Sequence, residues 1–219
     1  MKSKIFYTDL RLQIEQSAIK LLNSQEDYLS VSTINSTRAV GDAIQSLLES
    51  NFQSLLGENC VEYSASFARR AMADLAFRDL QGFYYIVDVK THRTDTKFNM
   101  PNLTSVDRLA RFYEEDANYF VLLLVSYHVE ETRIIVTNVK FVPIEFLDWS
   151  CLTIGALGIG QIQIANSNRT IINDNYSRKN WMIELCDVML QFYPKEVAKI
   201  GKRITQFERV KEFWLNKSE

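Results

Sequence analysis

The chain has 219 residues, 47% of them hydrophobic, with only seven Gly and three Pro, enough for one substantial core and too few breakers for a flexible linker between domains. A formal net charge of −2 excludes a protein that coats nucleic acid indiscriminately, because sequence-independent affinity comes from many phosphate-neutralising cations. The cysteines Cys60, Cys151 and Cys186 are odd in number and form no Cys-x-x-Cys pair, which speaks against a disulfide framework or a zinc site.

Met1 to Asp9 contains no apolar run of signal-peptide type, and no stretch reaches the length of a membrane span, so a cytoplasmic protein is expected. Thr8 can cap a first helix carrying Leu10, Ile14, Ala18, Leu21 and Leu22 at helical spacing. A polar connection from Asn23 to Asn35 leads to Ser36-Thr37, a cap for a second helix with the stripe Val40, Ala43, Ile44, Leu47, Leu48, Phe52 and Leu55. Its other face presents Asp42, Gln45 and Glu49, and Gly57 ends it. Cys60 to Ser66 reads as a strand or an extended approach to a hairpin that begins at Ala73.

That hairpin comprises Ala73 to Arg78, a turn containing Gly82, and Phe83 to Thr91. Alternation puts Ile86, Asp88 and Lys90 on one face of its second strand. With the turn centred near Gln81, Asp74 falls opposite Asp88, and two like charges so placed repel unless a cation lies between them. An Asp-x-Lys tripeptide is most often a solvated strand face with a weak surface ion pair. Here, however, Tyr84 to Val87 is apolar on both faces, as in a doubly covered strand where unpaired charge is costly.

Two carboxylates and the Val89 backbone carbonyl are hard oxygen ligands that suit Mg²⁺ and leave places for water and a phosphate oxygen. A nearby ammonium can hold or polarise the attacking water. Asp74, Asp88 and Lys90 thus suit metal-dependent phosphodiester hydrolysis, with one helix acid, Asp42 or Glu49, as a further candidate ligand.

Thr91 to Asn102 is polar and basic, lacks either periodicity and contains Pro101, so it reads as a loop leaving the Lys90 strand. Lys97 suits a phosphate, while Asn99 and Asn102 suit base edges or turn chemistry. Thr104 or Ser105 caps a short helix through Phe112, and Asn118 to Tyr127 is a central strand. His128 to Glu131 turns it into an antiparallel strand from Thr132 to Val142, and Pro143 opens a short helix through Trp149. Leu152 to Gly160 holds Gly155, Gly158 and Gly160 without the Lys-Ser/Thr of a phosphate loop, and Gln161 and Gln163 share a strand face. Ser177 caps a helix to Phe192, Pro194 interrupts it, and a last amphipathic helix runs from Lys195 to Trp214.

Taken together, Ala73-Asp74, Asp88-Val89-Lys90-Thr91, Pro101-Asn102, Gln161-Ile162-Gln163 and Ser177-Arg178 ahead of Trp181 resemble the PD-(D/E)XK nucleases. Within them the chain is similar to type II restriction endonucleases. The resemblance covers most of the chain after residue 38 and implies a single α/β domain over residues 1–219, a mixed central β-sheet flanked by helices. It further implies a prokaryotic homodimer embracing double-stranded DNA, Mg²⁺ held by Asp74 and Asp88, Lys90 as active-site lysine, and cleavage to 5′-phosphate and 3′-hydroxyl ends. By the same match Asn99, Asn102, Thr153, Gln161, Gln163 and Arg178 would contact the DNA, beside the phosphate-suited Lys97. Ala73 stands where the motif has Pro, and Gly155 falls near a base-contacting Asn of a relative. Two alternatives stand beside this reading: a structure- or damage-directed repair or recombination nuclease of the same superfamily, and a catalytically inactive DNA-interaction protein.

Overall fold

A computed structural model describes residues 2–25, 36–64, 73–131, 133–155 and 160–218. The chain divides into two compact units, residues 1–175 and 176–219. The first is an α/β fold around a mixed five-stranded sheet. Its elements are α1 (Lys4–Tyr7), α2 (Leu10–Asn23), α3 (Thr37–Leu56), β1 (Glu62–Ser64), β2 (Leu75–Arg78), β3 (Tyr84–Arg93), β4 (Asn102–Ser105) and α4 (Val106–Phe112), followed by β5 (Asn118–Glu130), β6 (Arg133–Pro143), β7 (Leu152–Gly155) and β8 (Gln161–Ile164).

The main sheet runs β1-β2-β3-β5-β6. Only β3 and β5 pair in parallel, Asp88 beside Leu122 and Lys90 beside Leu124, while the other neighbours are antiparallel. A parallel pair needs a crossover, and here it contains β4 and α4. The apolar stripe of α3, Val40, Ile44, Leu48 and Phe52, packs in one core with Phe77, Tyr85, Val87, Val121 and Leu123 of the sheet. Ile86, Phe120 and Leu122, which alternate with those strand residues, are also buried, so the sheet is covered on both faces. Each such side chain contributes roughly 1.5–3 kcal/mol by leaving water.

Ser36 caps α3 by accepting the Ala39 N–H, and Gly57 ends it at positive φ. The Thr8 hydroxyl accepts the N–H of Leu10, the first residue of α2, at 3.3 Å, although it is not the N-cap residue. Asp9 occupies the N-cap position without a side-chain cap bond, and the Thr8 hydroxyl also donates to the Lys4 carbonyl at 2.7 Å, joining the end of α1 to the start of α2. The loop expected over residues 91–102 is shorter, because β3 continues to Arg93 and β4 starts at Asn102. β5 likewise runs on through Glu130. In both cases ladder partners across the sheet outweigh polar local composition. Two 3₁₀ turns, Ile144–Phe146 and Trp149–Cys151, replace the helix expected after Pro143. Ala65, Ser66, Thr132, most of the Asn23–Asn35 connection and residues 156–159 of the glycine stretch lie outside the described residues.

The second unit contains one helix, α5 (Arg178–Leu215), capped by the Ser177 hydroxyl, with Pro194 inside it. Two helices split at Pro194 were expected. Proline removes one hydrogen bond and crowds the preceding turn, but the long helix-forming flanks on either side carry the helix through it.

Candidate active site

The β2–β3 hairpin is fastened at its turn by a buried carboxylate. Asp79 accepts the N–H groups of Gln81 and Phe83 at 2.9 and 3.0 Å and the Tyr85 hydroxyl at 2.6 Å. Gly82 supplies the positive φ of 84° that the turn requires. The register from Arg78↔Tyr84 to Leu75↔Val87 then carries the chain to Asp74.

Asp74 is not a simple ladder partner of Asp88. Pairing ends at Leu75↔Val87, and the Asp74 N–H donates to the Val87 carbonyl at 2.9 Å. Its carboxylate turns into the strand edge, accepting the Val89 N–H at 2.7 Å on Oδ2 and Gln45 Nε2 at 2.9 Å on Oδ1. The same Gln45 Nε2 donates to Glu49 Oε1 at 2.8 Å. Gln45 and Glu49 are one turn apart on α3, so one helix face braces the hairpin carboxylate. Asp42, the other helix acid considered, is exposed and lies 4.0 Å from Arg38. Glu49, rather than Asp42, belongs with this cluster.

Asp88 is the buried member, with only 7% of its side chain exposed. Its Oδ1 accepts Lys90 Nζ at 2.8 Å, while Oδ2 is buried without a hydrogen-bond partner among the described residues. Burial pushes its pKa up from 3.8 to about 7, against the pull of Lys90 and with a further push from the Asp74 charge. The two carboxylates are therefore electrostatic neighbours, although they do not face each other in the ladder. In a strand the N–H and C=O of one residue point to the same edge, so the Val89 carbonyl faces the same side as the N–H held by Asp74.

This donor set fits a hard divalent cation in one specific sense. An ionised carboxylate oxygen buried with no donor is costly, and a cation beside Asp88 Oδ2 would satisfy it. No group of three or more His, Cys, Asp or Glu side chains able to hold a metal occurs among the described residues. Mg²⁺ nevertheless commonly takes one or two carboxylates and completes its shell with water and substrate phosphate.

The expected DNA contacts fall in three places. Asn102, Gln163 and Thr153 form a row across the small antiparallel sheet β4-β8-β7, and Gln161 pairs with Ser105 and Gly155. Gln161 and Gln163 are half-buried, whereas Ile162 and Ile164 between them are buried, so both amides lie on the outer face. Gln163 Nε2 donates to Asn102 Oδ1 at 2.5 Å, joining two of the candidates. Lys97 is exposed, and Asn99 accepts the Ser167 N–H through its carbonyl at 2.8 Å. Arg178 is the first residue of α5, in the second unit.

Sequence reasoning missed Asn168. Its Nδ2 donates to the Thr96 and Lys97 carbonyls at 3.0 and 3.3 Å, and its Oδ1 lies 2.7 Å from His92 Nε2. It therefore fixes the segment carrying Lys97 to the strand carrying Lys90. Its distance in sequence from both left no local signal. Lys90, His92, Ser126, Asn138, Lys140 and Thr170 also line a cleft of about 230 Å³.

No protein-family model matches the chain, and no curated protein matches its sequence.

Proposed function

We propose that the chain is a Mg²⁺-dependent endonuclease of the PD-(D/E)XK restriction type, hydrolysing phosphodiester bonds of double-stranded DNA at a specific sequence. The observation that carries this reading is Asp88: buried, bonded to Lys90 through one oxygen, orphaned at the other, and beside Asp74. The mixed five-stranded sheet with α3 braced against the hairpin is consistent with it.

Asp74, Asp88 and the Val89 carbonyl would hold the ion, with Glu49 reaching the site through Gln45. Bound there, Mg²⁺ supplies charge stabilisation at the phosphate and lowers the pKa of a coordinated water. The protein's own share is positioning. Gln45 and the Val89 N–H fix the Asp74 carboxylate, and Lys90 neutralises Asp88 and presents an ammonium where a phosphate oxygen or attacking water would lie. Sequence reading falls to the outer face of the small sheet, where Asn102, Gln161 and Gln163 offer amides that can donate and accept at base edges.

Incubation of plasmid DNA with the purified protein tests the reading. Discrete fragments in Mg²⁺ and none in EDTA are expected, with Asp88→Ala reduced by orders of magnitude. Undiminished cutting in EDTA would sink metal dependence, and a smear without discrete bands would favour a structure- or damage-directed nuclease.

A further inference from the structure

α5 leaves a long apolar stripe in solvent. Leu190, Val197 and Phe207 are 73%, 67% and 68% exposed, and Ile200, Ile204 and Trp214 are more than half exposed. Scattered apolar residues on a surface need no explanation, but a continuous stripe marks an interaction face.

The spacing identifies the kind of face. From Leu190 the stripe steps alternately by three and four residues, to Tyr193, Val197, Ile200, Ile204, Phe207, Lys211 and Trp214. That is a heptad pattern, with Leu190, Val197, Ile204 and Lys211 at one core position and Tyr193, Ile200, Phe207 and Trp214 at the other. A strict seven-residue repeat drifts around a straight helix and stays on one line only when two helices supercoil. Pro194 and Gly201, the two poor helix residues, both fall beside the seam rather than in it.

We propose that residues 190–214 form a parallel, in-register two-stranded coiled coil with a second copy of this chain. Charge selects the occupant and its direction. In the parallel register Arg203 flanks the seam opposite Glu208 of the second copy, and this occurs twice by symmetry. Val210 and Leu215, exposed in the single chain, meet across the same flank and widen the apolar contact. The antiparallel register that overlays the stripe from Leu190 to Trp214, centred between Ile200 and Ile204, sets Arg203 against Arg203 of the second copy. It places Glu196 beside Val210 and Glu208 beside Pro194, so no opposite-charge pair offsets that repulsion, and Glu196 is bonded to Lys199 within its own helix at 2.6 Å. Lys211 in the core is the single polar layer, a device that fixes register at some cost in stability.

Sedimentation equilibrium of the full chain at micromolar concentration tests this independently of any nuclease activity. The wild type should sediment as a dimer, and the double variant Ile204→Asp/Phe207→Asp as a monomer with unchanged circular dichroism, since both side chains are exposed. Arg203→Glu should weaken the dimer, and Arg203→Glu with Glu208→Arg should restore it. Ile200→Cys should form an interchain disulfide on oxidation, because only the parallel register brings two copies of position 200 within bridging distance. A monomeric wild type, or a dimer that survives the double Asp variant, overturns the proposal, and failure of Ile200→Cys to cross-link overturns its parallel register. A monomer that still cuts DNA overturns this proposal alone and leaves the nuclease reading standing.

Discussion

Asp88 holds Lys90 with one oxygen and has no donor for the other among the described residues, and burial pushes its pKa to about 7. Because the folded value lies above the unfolded 3.8, the metal-free folded protein keeps a proton that the unfolded chain releases between roughly pH 4 and 7. This group's contribution to stability is thus fully present below about pH 4 and is lost as pH rises through about 7. In EDTA, Asp88→Asn should therefore lose less stability than wild type as pH rises across that window, a difference that calorimetric Tm against pH measures directly. Identical pH profiles for the two proteins would contradict the account of Asp88. The type and alternation of Asp88 and Lys90 were legible in the sequence, since strand period alone puts them on one face. What was not legible is the turn of Asp74 into the strand edge, because it depends on an irregular bond to Val87 and on Gln45 from a distant helix.

The small sheet β4-β8-β7 and the long helix α5 show what elements add. The alternation of Gln161 to Ile164 could be read locally, but the row Asn102, Gln163, Thr153 requires pairing between strands far apart in sequence, for which one chain carries little signal. The row couples its members. Asn102→Ala removes the acceptor of Gln163 Nε2 as well as an amide of its own, so it should lose about 1–3 kcal/mol of discrimination at one base pair while leaving chemistry intact. Gel shift in Ca²⁺ with cognate and altered sites reads that loss. Lys90→Ala should behave in the opposite way, binding nearly normally and failing to cut. An Asn102→Ala protein that discriminates as wild type does would remove the recognition role from this row. In α5, Pro194 read as a break because its local cost is about 3 kcal/mol relative to Ala, yet the helix continues through it. Pro194→Ala should accordingly raise the stability of the helix, by up to about 3 kcal/mol, seen as a higher Tm or greater helicity on heating. No gain would mean that the helix is already unwound there in solution.

Across the whole molecule the charge is nearly balanced, with 25 Lys and Arg against 27 Asp and Glu, so any hold on DNA must come from local surfaces. Residues 66–111, which carry the hairpin and the segment after it, have eight basic against five acidic residues, and residues 178–219 nine against six. The order of strands and helices was largely legible from periodicity and breakers. The division into two units was not, because nothing in composition changes at residue 175. Among the described residues no helix is long and apolar enough to cross a membrane. A palindromic site would mirror a twofold protein, so the coiled coil proposed for α5 and the cleavage of both strands are compatible, though neither depends on the other. The most direct test of the central claim is to digest a DNA of known sequence with the folded protein and sequence the fragment ends. The account predicts ends at one recurring sequence, carrying 5′-phosphate and 3′-hydroxyl groups, formed with Mg²⁺ and lost in EDTA and in Lys90→Ala. Intact DNA after exposure to wild type in Mg²⁺ at saturating protein, across substrates long and varied enough to contain every candidate site, would contradict it.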